Sequence, residues 1–242
     1  MATSIGTSGD DLIGGTGDAD TLIGLSGNDA LSGRDDNDLL VGGNGTDALV
    51  GGDDEDTLLG GDGRDALDGG DDADRLAGGN GRDTLFGDEG DDTLFGGDGN
   101  DILIGDSPFD NNNDTEDSLL GGLGDDTLLG FHGDDVLRGG DGDDDLDGGD
   151  GDDTLYGAAG NDDLRGGQGD DKFAFTNLND GNAETDRVRD YGRDDDVIDL
   201  PNGERSVQTF VEDGGDTLLI LRGDGDVIRL ENFDNPDDLI IV

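Results

Sequence analysis

The sequence has no cysteine, one histidine, and only 13 lysines and arginines against 65 aspartates and glutamates. Each shortage removes a class of function. Without cysteine there is no disulfide framework and no thiolate zinc site, so the chain must be stapled some other way. One histidine leaves little for nucleophilic chemistry. Neither His-Glu-x-x-His nor Gly-x-Ser-x-Gly occurs, and no enzymatic activity is expected. The lack of basic residues excludes nucleic acid, whose phosphates need Lys and Arg, and disfavours anionic membranes. No apolar run reaches membrane-spanning length. Met1-Ala2-Thr3-Ser4-Ile5 has neither the basic nor the apolar region of a cleaved signal peptide.

What the chain does have is acid and glycine, with a net charge of -52 and 50 glycines in 242 residues. That charge works against a compact state unless something neutralises it. Hydrophobic residues make up 29%, and low hydrophobicity with high charge ordinarily means disorder. Periodicity argues otherwise. From Gly6 the chain locks into a nine-residue frame. Position six is Asp11, Asp20, Asp29, Asp38, Asp47, Asp56, Asp65, Asp74, Asp83, Asp92 and Asp101. The next unit, from Gly105, is stretched by seven residues, and the frame resumes at Asp117, Asp126, Asp135, Asp144, Asp153, Asp162 and Asp171. Two residues after each Asp stands an apolar side chain, from Ile13 through sixteen leucines to Phe173.

A short x-apolar-x strand points one side chain inward and its neighbours outward. The six residues before it make a turn in which glycine permits positive φ and close backbone approach. Two units make one coil, so each Asp stacks about 4.8 Å from the Asp eighteen residues away. Carboxylates at that spacing repel unless a divalent cation lies between them. Asp carboxylates and turn carbonyls offer only oxygen, which suits calcium and argues against zinc or copper. The core is one residue deep per strand, so folding has to be linked to the cation.

Eight units read Gly-Gly-x-Gly-x-Asp-x-apolar-x in full, for example Gly96-Gly97-Asp98-Gly99-Asn100-Asp101-Ile102-Leu103-Ile104. The stretch from residue 6 to about 174 resembles the RTX (repeats-in-toxin) calcium-binding repeat. The resemblance implies an all-β, right-handed parallel β-roll, a two-sheet solenoid with two nonapeptides per coil and a C-terminal β-rich cap. It implies the eighteen position-six aspartates as calcium ligands, with about 16 ions in two stacks. Domain boundaries follow: 1–5 as a short leader, 6–174 as the roll with an insertion near 106–116, and 175–242 as the cap.

Units starting at Gly15, Gly33, Gly51 and Gly69 carry Asp18, Asp36, Asp54 and Asp72 at position four, where Gly is usual. All four fall on one side of the roll. Either they add a carboxylate that alters calcium binding there, or the turn simply tolerates Asp. Asp110, Asp114 and Glu116 in the insertion are further candidates for an ion, although a solvated loop explains them better. His132 reads as a surface turn residue.

Asp186-Arg187-Val188-Arg189-Asp190-Tyr191 and Asp196-Val197-Ile198-Asp199-Leu200 resemble the segment that closes RTX rolls in secreted proteins; Asp194 stands where that pattern has Gly. Stretches 207–211, 217–221 and 227–230 read as antiparallel strands that cover the open end. Asp237-Asp238-Leu239-Ile240-Ile241-Val242 is similar to the uncleaved signal of type I secretion substrates, which implies an exporter as partner and an extracellular or cell-surface destination. The calcium-dependent roll is expected as a free-standing structural protein of a surface, matrix or filament. The alternatives are the C-terminal folding and secretion module of a larger enzyme or toxin, and an adhesive or ice-binding roll. Against an ice face, position seven runs Thr21, Leu39, Thr57, Arg75, Thr93 rather than forming a ladder. If the stretched unit counts as one turn, one sheet carries an outward column at position nine, Ile23, Val41, Leu59, Ala77, Phe95 and Leu120, about 24 Å long, which is a candidate self-association face.

Overall fold

The computed structural model describes residues 2–107, 115–175, 184–191, 196–200, 208–211, 217–220 and 226–231. They form two sheets and no helix. The first sheet contains β1 (Thr3–Ile5), β3 (Thr21–Ser26), β5 (Leu39–Gly45), β7 (Thr57–Gly63), β9 (Arg75–Gly81), β11 (Thr93–Asp98), β13 (Ser118–Leu123), β15 (Val136–Asp141), β17 (Thr154–Ala159), β19 (Lys172–Ala174) and β21 (Val197–Asp199), in that spatial order. The second runs β2 (Leu12–Gly14), β4 (Ala30–Arg34), β6 (Ala48–Gly52), β8 (Ala66–Asp71), β10 (Thr84–Glu89), β12 (Ile102–Asp106), β14 (Thr127–His132), β16 (Asp145–Asp150), β18 (Asp163–Gln168) and β20 (Thr185–Val188). It then adds β24 (Val227–Leu230), β23 (Thr217–Ile220) and β22 (Gln208–Val211). Odd and even strands alternate between sheets, so two nonapeptides make one coil of a parallel β-roll.

The register is one coil per step: Leu40 lies beside Leu22 and Leu58, and Leu103 beside Leu85 and Leu128. The stretched unit counts as a single turn, because Leu94 pairs with Leu119 across it. Inside, the position-eight leucines from Leu22 to Leu164 are at most 2% exposed and form one continuous core with Phe173, Val188, Ile198, Ile228 and Leu230. On the first strand of the second sheet the burial is incomplete: Ile13 is only partly buried, and Leu12 is 89% exposed.

The strands are longer than the three residues expected from the pattern. β7, for instance, runs from Thr57 through Gly63, because positions two to four also pair in parallel with the turn below: Gly61 with Gly43, Asp62 with Asn44, Gly63 with Gly45. This satisfies the backbone of what would otherwise be a loop. It also explains one glycine. Gly63 has φ +144°, and a Cβ there would sit 1.5 Å from the carbonyl oxygen of Gly45.

Parallel pairing continues past the repeat. β20 follows β18 with Val188 beside Leu164, and β21 follows β19 with Ile198 beside Phe173. β24 pairs in parallel with β20, and β22, β23 and β24 pair antiparallel. The expected antiparallel strands are therefore present, with the last of them joined to the roll in parallel. The position-nine column is also in register: Ile23, Val41, Leu59, Ala77, Phe95 and Leu120 lie on successive strands. The Arg75 guanidinium lies 4.4 Å over the Phe95 ring and covers part of that stripe. Asp194 and Asp237–Val242 lie outside the described residues.

Candidate metal centres

Each position-six Asp stands immediately before a strand, where its backbone joins the ladder of the coil behind it. The rung has two bonds. The N–H of Asp83 donates to Oδ1 of Asp101, eighteen residues on, at 2.8 Å. The N–H of Ile102 donates back to the carbonyl of Asp83 at 3.0 Å. The same side-chain bond recurs along both turn stacks, and it spans the insertion as Asp92 to Asp117 at 2.8 Å and Asp101 to Asp126 at 2.7 Å. All the position-six aspartates except Asp11 are buried.

The second carboxylate oxygen carries the chemistry. From Asp29 to Asp162, Oδ2 of every position-six Asp is buried without a hydrogen-bond partner. Asp11 and Asp20 differ, because the N–H and hydroxyl of Thr7 and Thr16 donate to their Oδ2 atoms. The surroundings of the orphaned oxygen are oxygen as well. A Cβ added to Gly96 would lie 2.5 Å from Oδ2 of Asp101 and 2.6 Å from the carbonyl of Gly121, so position-one glycine keeps a cradle open between a carboxylate and a carbonyl. Among the described residues no three His, Cys, Asp or Glu side chains converge as a metal-holding group. The donor set is thus a carboxylate with backbone carbonyls. That set fits a hard cation with a flexible, oxygen-only shell and does not fit zinc.

Electrostatics favour neutralisation of these acids, by a cation or by protons. Burial is the first cause that pushes the position-six carboxyls from Asp38 to Asp171 up, and neighbouring acids add to it against the opposing backbone N–H, whereas the Ala2 N–H holds Asp20 below the ordinary value. Asp65, Asp83 and Asp144 are raised to about 6, and Asp56, Asp74, Asp117, Asp126 and Asp171 to about 7. Asp92, Asp153 and Asp162 reach about 8, and Asp135 about 9. The basic side chains near the C-terminal strands pair elsewhere, Arg165 with Asp147 and Asp190, Lys172 with Asp199, and Arg187 with Asp163 and Glu231.

Six overlapping or adjoining stretches, residues 5–40, 14–49, 41–76, 77–107, 112–146 and 138–173, match the family model of the RTX calcium-binding nonapeptide repeat. The chain belongs to the RTX calcium-binding nonapeptide repeat family. No curated protein matches it. RTX repeats bind calcium, and proteins that carry them are typically secreted by type I export without a cleaved signal peptide.

Several features of this RTX chain escaped the reading of its sequence. A second ladder runs at position five in the opposite sense: the N–H of Asn28 donates to Oδ1 of Asp10 at 2.8 Å, Thr46 to Asn28 at 2.9 Å, and Asn161 to Asp143 at 2.8 Å. Its mixed residue types hide it. Asp186, Asp196 and Asp226 are 4–5% exposed, and their Oδ1 atoms accept from Asp162, Asp171 and Glu184 at 3.1, 3.0 and 3.4 Å. Their signal was present as Asp-x-apolar in Asp186-Arg187-Val188, Asp196-Val197-Ile198 and Asp226-Val227-Ile228.

The described part of the insertion agrees with a solvated loop at Glu116 and adds a buried acid. Asp110 and Asp114 lie outside the described residues, and Glu116 is exposed. The buried acid there is Asp106, which takes a 2.7 Å bond from the Thr115 hydroxyl and raises the carboxyls of Asp92, Asp117 and Asp135 by its charge. His132 is half-buried at the surface: its side chain is 25% exposed, with Nδ1 3.9 Å from Asp106. At position four, Asp36, Asp54 and Asp72 adopt φ of 71°, 76° and 75°, the left-handed region Asp tolerates, whereas Gly63 takes a φ open only to glycine. Their charges act on Asp38, Asp56 and Asp74.

Proposed function

We propose that this chain is a secreted structural calcium-binding protein whose roll folds when calcium occupies the stacked turns outside the cell. The position-six aspartates, from Asp11 to Asp171, are the ligands, with turn carbonyls completing the shells and about 16 ions in two stacks. The observation that carries this reading is the column of buried, partnerless Oδ2 atoms facing carbonyl oxygens. A buried carboxylate oxygen without a donor is destabilising in isolation and favourable as a metal ligand. At micromolar calcium the stabilisation from sites of about 0.1–1 mM affinity nearly vanishes, which keeps the acidic chain unfolded for a type I exporter; at millimolar calcium the sites add up. Residues 237–242 serve as the export signal in this reading.

The structural role is supported by the position-nine column, in which Leu59 is 37% and Leu120 36% exposed on an otherwise acidic surface. The stripe is narrow beside the roughly 800 Å² per partner of a standard interface, so it fits weak lateral association of rolls rather than a tight dimer. Calcium titration followed by circular dichroism and light scattering tests both parts. The expected result is an expanded chain without strand signal in chelator and a compact β-rich one at millimolar calcium. A β-rich spectrum in excess chelator at neutral pH would overturn the folding claim.

A further inference from the structure

The repeat stops at Asp171, and the match to the family model stops at residue 173. The rung does not stop there. The N–H of Asp162 donates to Oδ1 of Asp186 at 3.1 Å, and the N–H of Arg187 donates to the carbonyl of Asp162 at 2.7 Å. These are the two bonds that join Asp144 to Asp162 one coil earlier, at 3.0 Å from Asp144 to Asp162 Oδ1 and 2.8 Å from Asp163 back to Asp144. The spacing is 24 residues instead of 18, which hides the relation from any count by nines.

A rung alone is only a hydrogen bond. The second observation is Oδ2 of Asp162, which is buried without a partner in a residue 2% exposed. The Asp that stacks on it, Asp186, is 5% exposed, and its strand places Val188 in the core column beside Leu164. Arg187 turns outward to Asp163 and Glu231, and Arg189 to Asp163 and Asp145. Two buried acids are therefore stacked at a junction where Arg187 and Arg189 serve other partners.

We propose that Asp162 and Asp186 hold a calcium ion between the last repeat of the second sheet and the first strand beyond it. This rests on the calcium reading above and extends it to a residue outside the repeat. The ion belongs half to the roll and half to the C-terminal region, so it makes docking of that region calcium-dependent in its own right. On the other stack Asp196 stands in the same relation to Asp171, at 3.0 Å, with Ile198 beside Phe173.

Counting bound ions by native mass spectrometry of the full chain at millimolar calcium tests the proposal. Asp186→Asn keeps the acceptor for the Asp162 N–H and removes the charge; Val188→Ala damages the same strand without touching the carboxylate. The expected result is one ion fewer in Asp186→Asn and the wild-type count in Val188→Ala. Equal counts in Asp186→Asn and wild type overturn the inference and leave the repeat sites standing. Equal losses in both variants, or collapse of the whole count in Asp186→Asn, assign Asp186 a structural role and overturn it as well. A wild type that binds no calcium overturns this inference and the reading on which it rests.

Discussion

The N–H of Asp83 donates to Oδ1 of Asp101 at 2.8 Å while Oδ2 of Asp101 is buried with no partner. From Asp29 to Asp162 each position-six carboxylate is thus half used. One oxygen fixes the coil behind it, and the other is held ready at a site lined with carbonyls. The hydrogen bond orients the carboxylate, so on the proposed reading little side-chain freedom remains to be lost when a cation binds.

Protons are the alternative neutraliser, which sets a pH dependence. The folded pKa values of the position-six aspartates from Asp38 to Asp171 lie above the unfolded value of 3.8, from about 6 for Asp65 to about 9 for Asp135. The cation-free folded state then binds more protons than the unfolded chain, and stability falls with rising pH. Without calcium, the fold is expected to be favoured near pH 4 and lost progressively as pH rises through 6 to 9. Circular dichroism in chelator across this range checks it. A strand signal that grows with pH in chelator would contradict the assignment.

Glycine at position one is expected to be intolerant of even a methyl group. Gly96→Ala places Cβ 2.5 Å from Asp101 Oδ2 and 2.6 Å from the Gly121 carbonyl, where the backbone cannot move away without breaking two coils. The expected cost is about 1–3 kcal/mol from overpacking, with loss of an ion from that turn. Thermal melts in saturating calcium and ion counting report the two effects.

Core and surface leucines should separate cleanly. Leu137 is fully buried, and Leu137→Ala should cost about 2–5 kcal/mol. Leu123 is 50% exposed, and Leu123→Ala should change stability by roughly 0.5 kcal/mol or less. Calcium titration of folding would show the first as a higher midpoint and the second as none.

The position-nine stripe gives a test of association independent of folding. Leu59→Asp combined with Phe95→Asp should abolish calcium-dependent light scattering while leaving the calcium-induced strand signal nearly intact. A wild type that stays monomeric at millimolar calcium and high concentration removes this face from consideration as a self-association surface.

Much of this was legible in the sequence because each nonapeptide repeats one local rule. Asp at six and Leu at eight gave the inward column, the stacked acids and the two-unit coil, and the stretched unit could be counted as a single turn because Leu119 resumes the same phase. What escaped notice lay where the rule survives without its spacing. Asp186 and Asp196 keep Asp-x-apolar but follow longer connections, so the period no longer points to them. The position-five ladder needs only a side-chain oxygen, which Asp10, Asn28 and Asp143 all supply. The burial of Asp106 beside His132 depends on how the coil closes after Gly105, and no local pattern reports that.

The insertion has a consequence for how the coils find their places. Between Asp29 and Asp92, and again from Asp117 to Asp171, a shift of eighteen residues lays leucine on leucine and carboxylate on carboxylate, so pairing energy alone scarcely separates the correct alignment from a slipped one. The 25-residue step from Asp92 to Asp117 interrupts that translation once. Any slipped threading must bury the extra seven residues or leave Asp106 without the Thr115 hydroxyl and without its place beside Asp117. The stretched unit thus acts as an index mark on an otherwise uniform scale, the single point from which every other coil can be numbered.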